Sequence, residues 1–167
     1  MKRPAVLVCC VLCLGSLEAI GQERQNCTGP QLGTWKLRSY TTEDLTTGQK
    51  TDLFGAHPTG YLSYGSDCRV FGIVVKEGRK APNSLVPTDA ERVELYNGLI
   101  AYAGTYSIEG DKVSHHLDVS SNQSWTGTTL VRQFRIDGKS LYINTLPARN
   151  PLTGKESSAV LVFDKVE

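Results

Sequence analysis

"YAGTYSIEGDKVSHHLDVS", residues 102–120, consists of two runs of strand-forming residues around Gly110-Asp111. A glycine followed by a second turn residue is the type II′ pattern of a tight β-hairpin. With that turn, Glu109 pairs with Lys112, Ile108 with Val113, Tyr106 with His115, Thr105 with His116 and Tyr102 with Val119. Side chains alternate between faces along a strand. Val113, His115, Leu117 and Val119 therefore share one face with Tyr102, Tyr106 and Ile108. Ser114, His116 and Asp118 share the other with Ala103, Thr105 and Ser107. The first face is apolar with a few polar tips, so it faces a core. The adjacent histidines point opposite ways and cannot ligate one metal together. His57, the third histidine, lies in a loop, and no zinc-type cysteine and histidine spacing occurs, so no metal site is expected.

The pattern extends outward from this hairpin. "TLVRQFRI" (129–136) and "KSLYINTL" (139–146) flank Asp137-Gly138, a second hairpin signal. Leu130, Arg132, Phe134 and Ile136 fall on one face, with Leu141 and Ile143. Arg132 thus stands among apolar neighbours, where an unpaired guanidinium is costly. It snorkels to a mouth open to water, pairs with an acid such as Asp164, or meets an anionic ligand. Upstream, "GTWKLRSY" (33–40) sets Trp35, Leu37 and Ser39 against Lys36, Arg38 and Tyr40. "GYLSYG" (60–65) and "CRVFGIVV" (68–75) follow, and "SSAVLVFDKVE" closes the chain. One helix is expected over 87–98, behind Pro87, capped by Thr88 or Asp89 and ended by Asn97-Gly98. About eight strands joined mostly by short turns, with one short helix, make an all-β, up-and-down barrel.

The N-terminus sets the compartment. Lys2-Arg3, the apolar run "AVLVCCVLCLGSL" and small residues at Ala19 and Gly21 read as a secretory signal peptide over 1–21. The run is shorter than the about 20 residues that span a bilayer. An arm over 22–31 and one domain over 32–167 follow. Without the leader, basic and acidic residues balance, so neither nucleic acid nor an anionic membrane surface is an expected partner. Of the 5 cysteines, only Cys27 and Cys68 remain after cleavage. In an oxidising compartment they make one disulfide, closing a loop of roughly 40 residues worth about 4 kcal/mol in the chain-entropy model; two free thiols are the alternative. Asn26 and Asn122 head glycosylation acceptor patterns, relevant in a eukaryotic source.

"LGTWKLRSY" (32–40), "HPTGYLSY" (57–64), the 102–120 hairpin and "WTGTTLVRQFRIDGKSLYI" (125–143) together resemble the small bacterial and fungal lipocalin-like domain family. The resemblance covers roughly residues 30–166 and implies a calycin-type β-barrel with an internal cavity. Gly33 and Trp35 also resemble the G-x-W element of true lipocalins, in which the tryptophan plugs the closed barrel end against an arginine after the last strand. This chain ends "LVFDKVE", without that arginine. The family supplies no catalytic residue set.

The leading expectation is a secreted or periplasmic carrier of a small hydrophobic or amphipathic molecule, with no cofactor. Tyr61, Tyr102, Tyr106, His115 and Arg132 are the candidate polar groups, and Trp125 closes a mouth or merely anchors its loop. The Tyr106 and His115 pair is otherwise a cross-strand packing contact. A second expectation is a cofactor-independent isomerase or cyclase, with His115 as acid or base, Tyr106 orienting it and Arg132 stabilising an enolate-like charge. A third is a surface interaction module whose barrel is filled by side chains. A serine hydrolase is less favoured still, since no G-x-S-x-G elbow occurs and "YGSD" reads as a turn.

Overall fold

The strands close on themselves because the last pairs with the first. The structure, a computed structural model, describes residues 26–150 and 153–166. The expected leader and the first four residues of the arm lie outside them. In chain order the elements are β1 (Gly33–Asp44), the two-residue β2 (Lys50–Thr51), β3 (Thr59–Tyr64), β4 (Arg69–Val75) and α1 (Asp89–Asn97). Then come β5 (Leu99–Glu109), β6 (Lys112–Ser120), β7 (Thr129–Asp137), β8 (Ser140–Thr145), the two-residue β9 (Ala148–Arg149) and β10 (Glu156–Lys165). Each long strand pairs antiparallel with the next, and β10 pairs with β1 from Trp35↔Lys165 to Asp44↔Ser157. The result is a closed eight-stranded, up-and-down barrel, which leaves none of its long strands as an open edge.

The meander makes the two ends unlike. At one end the turns are tight: Gly65–Cys68, Gly110-Asp111 and Gly138-Lys139. Gly110 has φ 60° and Gly138 has φ 57°, the left-handed value each tight turn needs at its first position. The second turn sits one residue beyond the expected Asp137-Gly138, because Asp137 pairs with Ser140 and leaves the glycine first. At the other end the connections are long and carry α1 and a short 3-10 turn, Gln123–Trp125.

The tight end is sealed. Trp35 is buried, and its indole N–H donates to the Gln31 carbonyl at 2.7 Å. The Lys165 ammonium lies 4.3 Å from the Trp35 ring centroid and also donates to the Leu32 carbonyl. A lysine therefore supplies the cation that "LVFDKVE" lacks as arginine. Gly33 opens β1 beside this ammonium. Cys27 and Cys68 form a disulfide, sequence separation 41, and the Cys27 amide donates to the Ser66 carbonyl. Gln31, also buried, donates to the Thr28 carbonyl within the arm and to the Tyr106 hydroxyl of β5.

Two β-bulges change which side chains face inward. In β1 the register against β10 slips between Leu37 and Ser39, so Arg38 is the extra residue. Trp35 and Leu37 point inward as expected, but after the bulge Tyr40 and Thr42 also turn in. In β6, Ala103 pairs with Val119 while Gly104 pairs with Leu117, so Asp118 is the extra residue. Tyr102 consequently pairs with Ser120, not Val119. Val119 leaves the inner face and is 58% exposed. Ile108, at the hairpin tip, is 37% exposed. Gly104 permits the second bulge: a Cβ there would stand 1.9 Å from the His116 carbonyl oxygen, inside any allowed contact.

The helix forms where its cap predicts. Thr88 Oγ1 accepts from the Glu91 amide at 3.3 Å, and Glu91 returns the bond to the Thr88 amide at 2.8 Å, a capping box. Gly98 ends it. None of its residues is buried.

Candidate ligand-binding cavity

Above the sealed end the barrel interior is not filled. Near the long loops lies an outer chamber of about 220 Å³, and below it an inner one of about 60 Å³. Tyr40, Ile100, Trp125, Arg132 and Thr145 line both, so the two chambers adjoin. Leu62, Val74, Ile143, Leu161 and Phe163 supply the apolar inner wall. The mouth is framed by Tyr96 and Asn97 of α1, Asn122 before the 3-10 turn, and Arg149 of β9.

A buried polar chain runs beneath this space. His115 is 0% exposed. Its Nε2 lies 2.8 Å from the Tyr64 hydroxyl and its Nδ1 lies 3.2 Å from the Tyr102 hydroxyl. Burial, with smaller contributions from Arg132 and His116, pushes its pKa from 6.5 to about 3, so the ring is neutral at physiological pH. A neutral imidazole has one donor and one acceptor nitrogen. Tyr64 is buried and hydrogen-bonds only to His115 among the described residues. An orphaned buried O–H costs about 1–3 kcal/mol, so Tyr64 donates to Nε2. The proton then resides on Nδ1, which donates to Tyr102. That fixes the sense of the chain: the Tyr102 hydroxyl keeps its own proton for the cavity. Burial raises the pKa of Tyr64, Tyr102 and Tyr40, so all three are neutral phenols at physiological pH.

Tyr102 reaches this position because Gly72 pairs with it across β4 and β5. A Cβ on Gly72 would stand 2.6 Å from Tyr102 Cζ, so the ring lies over the glycine. Tyr40 is held by Phe54, their ring centroids 5.1 Å apart. Its hydroxyl makes no hydrogen bond among the described residues, yet it is not sealed, since the residue borders both chambers.

A model of the lipocalin-like domain family matches residues 32–166. The chain belongs to that family. No curated protein matches it. Among solved structures it is similar to a lipocalin-like protein from Bacteroides uniformis at 16% identity, covering 83% of this chain and 100% of that one, TM-score 0.44. It is also similar to an uncharacterized protein from Bacteroides eggerthii at 14% identity, covering 81% and 99%, TM-score 0.41. The assignment rests on the family match.

Within this lipocalin-like barrel the sequence-predicted residues separate. Tyr102, Arg132 and Trp125 border the cavity together. His115 sits behind Tyr102 and reaches the cavity only through it. Tyr106 points to the sealed end, where its hydroxyl donates to the Gly65 carbonyl at 3.0 Å. Tyr61 occupies an outward position of β3 and is 48% exposed. It borders the inner chamber but also an outer apolar hollow with Phe71, Ile73 and Val119. His116 points outward to Thr129. Arg132 does not pair with Asp164, which is bound by Arg38 on the barrel exterior at 3.1 Å. Tyr40, Tyr64 and Gly72 were not singled out from sequence. Alternation about Leu62 in "GYLSY" carried the signal for Tyr64 over Tyr61; the β1 bulge left none for Tyr40.

Proposed function

We propose that this chain is a secreted or periplasmic binding protein that holds a small, mostly apolar molecule in its barrel cavity. The observation that carries the reading is the unfilled space above the Tyr64, His115 and Tyr102 chain, open to solvent at one end. Apolar walls with a few placed polar groups are the usual make-up of such sites. A module acting only through its surface needs no such space. An isomerase or cyclase with His115 as acid or base needs that imidazole at the reacting atoms, and both its nitrogens are engaged by tyrosines away from the cavity surface. The Cys27 and Cys68 disulfide and the leader-like N-terminus support an extracytoplasmic location. No helix among the described residues is long and apolar enough to cross a membrane.

Native mass spectrometry of the protein purified from its own source tests this reading. A mass excess lost on denaturation, with release of one small molecule, is the expected result. An unliganded mass, together with no thermal stabilisation by any member of a small-molecule library, would overturn it.

A further inference from the structure

The cavity has an uneven charge. Arg132 and Arg149 line it, and no aspartate or glutamate among the described residues does. The bias is local, because the whole chain carries a formal net charge of only +1. Arg149 is exposed at the rim and donates to the Gly154 carbonyl. Arg132 is partly buried and borders both chambers. One of its N–H groups donates to the Val131 carbonyl at 3.2 Å, and it forms no ion pair among the described residues. Its planar fork is built to grip two oxygens at once.

The groups beside it are also donors. The Tyr102 hydroxyl keeps its proton for the cavity, because His115 already donates to its oxygen. The Tyr40 hydroxyl makes no hydrogen bond among the described residues. Arg132, Tyr40 and Tyr102 all border the inner chamber, and no carboxylate among the described residues lines it. Their complement is a compact acceptor with a single negative charge. The walls beyond, Leu130, Ile143 and Leu161, are apolar.

We infer that the ligand is a small amphipathic carboxylate, its head held by Arg132 with Tyr40 and Tyr102, its apolar body in the outer chamber. The inference rests on the reading of this cavity as a ligand site. Scaling from the ~150 Å³ apolar cavity that accepts benzene, the outer chamber suits a body of about nine non-hydrogen atoms. Longer chains extend through the open mouth.

The test compares octanoate, octanamide and octanol by isothermal titration calorimetry at neutral pH. The first two match in size and differ in charge. The expected result is octanoate binding at least about tenfold more tightly than octanamide, as charge-assisted bonds imply. Added salt should weaken octanoate and leave octanamide unchanged. R132Q should bring octanoate down to the level of octanamide, with circular dichroism confirming the fold. Should R132Q fail to fold, the wild-type comparison and its salt dependence still decide. Octanamide or octanol binding as tightly as octanoate overturns the carboxylate head but leaves the carrier reading standing. If none of the three binds, the carboxylate inference falls; the carrier reading then stands or falls on its own mass-spectrometric test.

Discussion

Mild acid should weaken this fold through one residue. His115 has its pKa pushed from 6.5 to about 3 in the folded barrel, while in the unfolded chain it titrates near its ordinary value. Below about pH 6.5 the unfolded chain therefore binds a proton that the folded chain refuses, and stability drains away. The contribution is whole above that value, falls as pH drops, and is fully lost near the folded value of about 3. Integrating the linkage relation between about pH 7 and about pH 5 gives a loss of about 2 kcal/mol from this imidazole. The window stops above the range where Asp44 and Glu91 give up charge. Lys155 holds Asp44 low, and the amides of Asn83 and Thr88 hold Glu91 low. Urea unfolding followed by tryptophan fluorescence at several pH values in this window measures the slope. His115→Gln supplies a group that is neutral throughout, and the exposed His57 and His116 remain in both proteins. A wild-type loss under about 0.5 kcal/mol, or an equal loss in the variant, would refute the reasoning.

Tyr64→Phe removes the proton donated to His115 and strands one ring nitrogen, for a loss of about 1–3 kcal/mol; urea unfolding gives the loss, and nitrogen NMR should show the Nδ1-protonated tautomer in wild type only. Gly72→Ala drives a Cβ into the Tyr102 ring. It should cost about 1–3 kcal/mol by overpacking and displace the hydroxyl from His115, read as a lower melting temperature and a changed tyrosine ring shift. Replacing Cys27 and Cys68 together by serine should cost about 2–4 kcal/mol. Because the disulfide sits at the sealed end, ligand affinity measured on the folded fraction should not change.

Short-range chemistry was legible and long-range register was not. The Gly110 turn, the Thr88 cap and the alternation around Phe134 each lie within a few residues, and the barrel followed from joining them. Cross-strand Tyr106↔His115 was readable for the same reason, since a two-residue turn leaves no freedom of register. The bulges at Arg38 and Asp118 broke this parity. Each is one extra residue, and its position depends on the partner strand, which a single sequence does not reveal. Hence Tyr40 looked external and Val119 internal. Arg132 was found because a cation in an apolar row is conspicuous. Its lack of a carboxylate partner among the described residues was not legible, because Asp164 becomes committed to Arg38 only once β1 meets β10. Lys165 stood in plain view, but its role over Trp35 needed the closing of the barrel. The cavity was implied only by the family resemblance; its size and lining had no signal in the residues, because it is what remains of volumes that do not quite fill a space.

The helix α1 has a kinetic consequence. α1 has nine residues, no buried side chain, and a capping box as its chief support. Isolated helices shorter than about 12 residues are marginal in water, so this segment should open and reform many times for each global unfolding event. Its amide hydrogens would exchange with solvent quickly, while those of β1, β4 and β10 would wait for the whole barrel to open. Tyr96 and Asn97 lie at the cavity rim, so a segment expected to open more readily than the barrel strands stands where a passing molecule must clear it. The residence time of whatever enters is then tuned in Thr88 to Gly98, independently of the melting temperature set by the barrel.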